Sequence, residues 1–117
     1  MQTPWGELPV SDAHVHFFSP GFFSAQAAQC GRSLDEIGSV LGWRIRNSPE
    51  ELAEDWKSEL DAHGVARAAL IASVPGDEDS VASAITRYPE RFYGYFMANP
   101  VEEDSTARVQ RALDSGR

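Results

Sequence analysis

Cysteine is nearly absent from this sequence, in which Cys30 is the only one among 117 residues. A single cysteine excludes a disulfide within the chain, and it excludes a zinc cage made of several of the chain's own thiolates. Low cysteine usage is typical of a reducing compartment, so we expect a cytoplasmic protein.

Long apolar runs and positive charge are also scarce. No stretch approaches the roughly 18 apolar residues of a membrane span, and the first ten residues lack the basic segment and apolar run of a secretory signal. Ten Lys and Arg stand against 18 Asp and Glu, which gives a formal net charge of -8. Because an acidic surface repels phosphate groups, the expected partners include neither nucleic acid nor a membrane.

Hydrophobic residues make up 42% of the chain, which suits one domain over residues 1–117 with a core of its own. Residues 17–47 are predicted to be mostly loop, with a turn at Ser19-Pro20-Gly21 and one short helix. The predicted strands cover 10–16, 65–73 and 92–98. The predicted helices run from Ser33 to Leu41, from Ser48 to Gly64, from Asp77 or Asp79 to Pro89, and from Asp104 or Ser105 to Gly116, with Glu36 and Glu51 completing capping boxes.

Strands and helices that alternate in this way are typical of an α/β fold with parallel strands and right-handed crossovers. The sequence ends at Arg117, directly after the last predicted helix, where the alternation predicts a fourth strand. We therefore expect an incomplete sheet. Either the chain is a fragment of a longer one, or it pairs with other chains, such as a second copy of itself.

The stretch VSDAHVHFF, residues 10–18, carries two of the three histidines. Side chains alternate across a strand, so Asp12, His14 and His16 are expected on one face. Two imidazoles at the C-terminal end of a strand can both reach one metal ion at about 2.0–2.1 Å, and Asp12 is placed to orient a ligand histidine. The alternative, one packed and one exposed histidine, is disfavoured by the shared face. His63 is predicted to meet the C-terminal end of its helix and not the metal.

Candidates for a substrate pocket follow the strands. Asn99 comes after the third strand, and Ser73, which ends the second, is a weaker candidate. The aromatic residues Phe17, Phe18 and Trp43 are candidates for the pocket wall. The alternative for Asn99 is a turn residue before a proline, and for the aromatic residues it is ordinary packing.

Three motifs together resemble one enzyme family. DAHVH at 12–16 is similar to the first-strand motif of the amidohydrolase superfamily, and LDAHGV at 60–65 and RYPERFYGY at 87–95 resemble the branch called amidohydrolase family 2. This branch includes the aminocarboxymuconate-semialdehyde decarboxylases and related hydrolases. The resemblance covers residues 10–117, with the order and spacing of the motifs kept.

The resemblance implies that the chain is the N-terminal portion, three βα units, of a TIM (β/α)8 barrel, whose full form takes about 250 residues. It implies a divalent metal, in the first place zinc, held by His14 and His16 and acting on a small-molecule substrate. Family members usually take further ligands from strands five and six and a catalytic Asp from strand eight. Those strands are not in this sequence, so the catalytic residues are not identified.

The implied function is metal-dependent hydrolysis of a small carbonyl or carboxylate compound. Non-oxidative decarboxylation is the alternative within the same family, and some members work without a metal. A third interpretation, from another class, is a catalytically inactive barrel fragment or association module.

Overall fold

A three-stranded parallel sheet with helices is the central feature of the fold. The structure, a computed structural model, describes residues 2–114. Its strands are β1 (Gln2–Thr3), β2 (Gly6–Glu7), β3 (Ser11–Phe17), β4 (Arg67–Ala72) and β5 (Phe92–Tyr95), and its helices are α1 (Pro20–Cys30), α2 (Leu34–Leu41), α3 (Pro49–His63), α4 (Glu78–Arg87) and α5 (Ser105–Asp114). The mixed α/β class and the parallel sheet confirm the sequence prediction at that level. In this part of the chain no helix is long and apolar enough to cross a membrane.

The sheet has the order β3-β4-β5, which is also the order of these strands along the chain. Register pairing forms rows of residues across it. One row consists of Val15, Leu70 and Gly94, and the next consists of His16, Ile71 and Tyr95. Because side chains alternate along a strand, these two rows point to opposite faces.

The hydrophobic core lies between the sheet and helices α3 and α4. From the sheet, Phe17, Leu70 and Phe92 are almost completely buried. Small and aliphatic helix residues pack against them: Ala53, Leu60, Val81 and Ala84. The opposite face of β5 carries Tyr93 and Tyr95, whose exposed fractions are 50% and 59%. The sheet therefore has one packed face and one face open to solvent.

Helix α1 is the largest departure from the sequence prediction, which placed a turn at Ser19-Pro20-Gly21 inside a loop. Ser19 is instead the N-cap, its Oγ accepting a hydrogen bond from the backbone N–H of Phe22 at 3.0 Å. Pro20 occupies the start of the helix, where its fixed φ is favourable and its missing N–H costs nothing. The prediction was wrong because the apolar residues of α1 form no clear helical stripe, while the cap itself is the same device as at the start of α3.

Two predicted helix starts agree with the structure in part. Ser33 and Glu36 form both hydrogen bonds of the capping box that begins α2. At α3 the Ser48 side chain accepts from the backbone N–H of Glu51. The Glu51 carboxylate, however, accepts from the backbone N–H of Asn47 at 3.2 Å, so the predicted reciprocal box at Ser48 does not close.

The remaining helix and strand ends agree with the sequence prediction or differ from it by a few residues. Gly64 ends α3 in the left-handed conformation, with a φ of 65°, as predicted. Asp77 precedes α4 but its carboxylate does not cap that helix. The third strand ends at Tyr95, three residues before the predicted end at 98. The predicted stop at Gly116 lies outside the described residues.

Arg91, from the motif RYPERFYGY, has a structural role at the N-terminal end of strands β4 and β5. Its guanidinium donates to the backbone carbonyls of Ala66 at 2.7 Å and Val65 at 3.1 Å, and to the Asp61 carboxylate at 2.6 Å. Hydrogen bonds from Lys57 and Arg91 lower the pKa of the Asp61 carboxyl. Arg91 thus ties the start of β5 to the connection between α3 and β4.

Gly94 is a close contact point between β5 and α4. A Cβ built at Gly94 lies 2.7 Å from Cγ1 of Val81 and closer still to Cδ1 of Ile85. We expect Gly94→Ala to lower the free energy of unfolding by about 1–3 kcal/mol, because overpacking displaces side chains and backbone. Urea denaturation measures the loss.

Ile85 offers a double-variant control for this prediction. Ile85→Ala removes the atom nearest to the new methyl group, so the losses of Gly94→Ala and Ile85→Ala should sum to more than the loss in the double variant. Strictly additive losses would contradict the packing described for Gly94.

Candidate functional site

His14 and His16 lie in the C-terminal half of β3, and their imidazoles meet there. The two Nε2 atoms are 3.2 Å apart. The ring centroids are 5.0 Å apart with an interplanar angle of 71°. Both residues are exposed, so the pair presents two adjacent ring nitrogens to solvent.

The separation of these nitrogens fits a shared metal ion. Two ligands at about 2.0–2.1 Å from zinc, set at the tetrahedral angle, are roughly 3.3 Å apart. Within residues 2–114, no group of three or more His, Cys, Asp or Glu is arranged to hold a metal ion. The donor set described here is therefore two imidazoles, half of a four-coordinate site.

Ser73 contacts His16 from the neighbouring strand. Its Oγ lies 3.0 Å from Nδ1 of His16 and 3.1 Å from the backbone oxygen of Ile71. Ser73 directly follows β4, and β4 pairs with β3, so the two strand ends are adjacent. From the sequence, Ser73 was a weaker pocket candidate than Asn99. The predicted parallel pairing of the first two strands was a signal for Ser73, because it brings the C-terminal ends of those strands, and so Ser73 and His16, next to each other.

Asp12 does not have the ring-orienting contact expected of it. Its Oδ1 accepts a hydrogen bond from the backbone N–H of His14 at 3.0 Å. The register between β3 and β4 shifts between Asp12 and Val15, and Asp12 pairs with Ala68, a residue of the helix-covered face. This irregularity breaks the alternation that predicted Asp12 on the face of the histidines.

The aromatic candidates divide between the core and the site. Phe17 is fully buried in the core with Val15, because alternation turns it away from His16. It is therefore not part of the pocket wall. Phe18 stacks on the His16 ring with centroids 5.5 Å apart and planes 9° apart. Trp43 stacks on Phe18 with centroids 5.9 Å apart, so it lies beside His16, and its role as a pocket wall stays a prediction.

A cavity of about 450 Å³ opens beside His16. Four aromatic side chains line much of it: Phe18, Phe23, Trp43 and Trp56. An ion pair between Arg46 and Asp55 adds charged groups to its wall. The cavity has the size and the apolar lining typical of a small-molecule pocket.

The two remaining sequence candidates have local roles. The Asn99 side chain accepts from the backbone N–H of Val101 at 3.3 Å and donates to Glu102 at 3.2 Å, which are turn contacts. Nδ1 of His63 lies 3.0 Å from the backbone oxygen of Glu59, in the last turn of α3, where the sequence analysis placed it.

Asp77 forms a polar junction that the sequence did not predict. Its carboxylate accepts hydrogen bonds from the hydroxyls of Ser19 and, at 2.6 Å, of Ser80. Ser19 is fully buried and Ser80 is 8% exposed. A Cβ at Gly21 would lie 2.6 Å from the same carboxylate, so the glycine makes room for it. The junction joins the N-termini of α1 and α4, the helices that follow β3, which carries His16, and β4, which Ser73 directly follows.

The sequence matches no protein-family model, no curated protein and no solved structure.

Proposed function

We propose that this chain is part of a metal-dependent hydrolase of the amidohydrolase superfamily and acts on a small carbonyl or carboxylate compound. In this proposal β3, β4 and β5 are the first three strands of a (β/α)8 barrel, and further sequence or associated chains supply the rest. The observation that carries the proposal is the 3.2 Å separation of the His14 and His16 Nε2 atoms at the end of a parallel strand.

His14 and His16 would hold a divalent ion through Nε2, and zinc suits such nitrogen ligands. When bound there, the ion supplies Lewis acidity and lowers the pKa of coordinated water towards about 7. The aromatic cavity next to His16 would receive the substrate and exclude water from one side of it. The open face of the sheet, which carries both histidines, corresponds to the barrel interior in this proposal.

The position at the strand ends supports a catalytic role over a structural one. In (β/α)8 enzymes the active site is built on the loops at the C-terminal ends of the strands. His16 and Ser73 both lie at this end of the sheet, and Trp43 and Phe18 belong to the connection that leaves β3. His16, Phe18 and Trp43 also line the cavity.

Metal binding by the whole 117-residue chain tests the proposal. We expect His14→Ala combined with His16→Ala to weaken zinc binding by more than the 10–100-fold typical of an outer-sphere contact, because both protein ligands are lost. Isothermal titration with Zn²⁺, with bound metal counted by elemental analysis, measures it.

His63→Ala is the matched control, since it removes the third histidine from the end of α3. We expect it to leave zinc binding unchanged. Equal zinc binding by the unmodified chain and the double variant, or a loss in His63→Ala as large as in the double variant, would refute the ligand assignment.

A further inference from the structure

The Ser73 hydroxyl has two partners and one hydrogen. Its Oγ is 3.1 Å from the Ile71 carbonyl oxygen and 3.0 Å from Nδ1 of His16. A carbonyl oxygen only accepts, whereas a neutral imidazole nitrogen either donates or accepts. Both contacts are hydrogen bonds in one arrangement alone: Ser73 donates to Ile71, and Nδ1–H of His16 donates to Ser73.

From this arrangement we propose that Ser73 is a positioning residue that keeps His16 in the Nδ1–H tautomer. A neutral imidazole carries a single N–H, so Nε2 of His16 is left with a free electron pair. That pair lies on the side of the ring that faces Nε2 of His14. His16 would thus be prepared for a metal ion before the ion arrives, and this use of the tautomer rests on the proposed function.

The stacking around His16 fixes the plane of the ring as Ser73 fixes its proton. The His16 ring lies parallel to Phe18 within 9°, and Phe18 stacks in turn on Phe22 with centroids 4.5 Å apart. A ring flip of His16 would place a ring carbon, Cδ2, where Nδ1 lies and would break the hydrogen bond to Ser73. Phe18 therefore favours one ring plane, and the hydrogen bond to Ser73 favours one of the two orientations in that plane and one tautomer.

His14 differs from His16 in this respect. With Nε2 of His16 unprotonated, the 3.2 Å contact between the two rings is a hydrogen bond when Nε2–H of His14 donates. In the metal-free chain His14 is therefore the Nε2–H tautomer. Binding an ion requires His14 to give its Nε2 proton to water and to take a proton at Nδ1, whereas His16 keeps its proton in place. One ligand of the pair is prepared and the other must rearrange.

Nitrogen NMR of the metal-free chain tests the tautomers directly. Long-range ¹H–¹⁵N spectra, recorded at a pH of about 8.5 where histidine is generally neutral, distinguish a protonated ring nitrogen from a bare one. We expect His16 to carry its proton on Nδ1 and His14 on Nε2. A proton on Nε2 of His16 in the unmodified chain would overturn the proposal.

Three serine variants separate positioning from general structure. We expect Ser73→Ala to convert His16 to a mixture of tautomers and to weaken zinc binding by about 10–100-fold. Ser73→Thr keeps the hydroxyl and should restore both. Ser58→Ala, which removes a hydroxyl from the exposed face of α3, should change neither. A Ser73→Ala spectrum with His16 still fully Nδ1–H would show that Ser73 does not set the tautomer.

Failure of this proposal and failure of the proposed function give different results. If the tautomers are as expected and zinc does not bind, the positioning role of Ser73 stands and the metal site falls. If zinc binds through both histidines and the tautomer of His16 is unaffected by Ser73, the metal site stands and the positioning role falls.

Discussion

Replacing Phe17 by alanine is expected to lower the free energy of unfolding by about 3–5 kcal/mol, the usual cost of truncating a buried phenylalanine. Phe17 has no exposed surface and packs with Val15 and Leu70 beneath the helices. The loss is large relative to the roughly 5–15 kcal/mol that stabilises a folded domain. Chemical denaturation followed by circular dichroism measures it, and an unfolded variant in the absence of denaturant would agree with the upper end of the range.

Phe18→Ala is the informative comparison, since it removes the same side chain one position later. Phe18 is half-buried and stacks on His16 and Trp43 at the cavity. We expect a smaller loss of stability than for Phe17→Ala, because less surface returns to water. A larger loss for Phe18→Ala would contradict the assignment of Phe17 to the core and Phe18 to the site.

Removing the Asp77 carboxylate is expected to lower the free energy of unfolding by about 2–4 kcal/mol. Asp77→Ala leaves the Ser19 and Ser80 hydroxyls without their acceptor in a buried position, and an unsatisfied buried polar group costs about 1–3 kcal/mol. The effect should be concentrated where α1 and α4 begin. Hydrogen exchange measures this. Relative to the unmodified chain, Asp77→Ala should speed up exchange more at the N-terminal amides of α1 than at those of α3.

Asp79→Ala provides the matched control, because Asp79 is an exposed acid two positions along the chain, in the first turn of α4. We expect a change within about 0.5 kcal/mol, as is usual for exposed positions. Asp77→Asn keeps one acceptor oxygen and should lie between the two alanine variants. Equal losses for Asp77→Ala and Asp79→Ala would show that charge at the helix start, and not the buried junction, accounts for the effect.

Local patterns were sufficient to predict the sheet and most helices. The apolar run at 65–73 and the aromatic run at 92–98 predicted parallel strands, and the capping residues Ser33 and Ser48 located two helix starts. The placement of His14 and His16 on one strand face likewise required only the period of two along a strand. These features depend on neighbours within a few residues, which a single sequence displays.

The features that the sequence did not show depend on register and on contacts distant along the chain. The irregularity that separates Asp12 from the histidine face exists only in the pairing of β3 with β4. Ser73 meets His16 across 57 positions, and Asp77 meets Ser19 across 58. Neither pair has a local pattern that would single it out. Phe17 is different, because the sequence did contain the information needed to exclude it from the pocket. Side chains alternate along a strand, so Phe17 is expected on the face opposite to His16.

The outer strands β3 and β5 each have a single neighbour in the described sheet. The amide and carbonyl groups along such a margin are solvated until a further strand replaces the water, whether from the same polypeptide or from another. We therefore expect these outer strands to favour pairing with strands of other molecules. The mutual repulsion of molecules that carry a net charge of -8 opposes such pairing. Salt weakens that repulsion and leaves the hydrogen-bonding margin unchanged, so we expect association through these outer strands to increase with ionic strength.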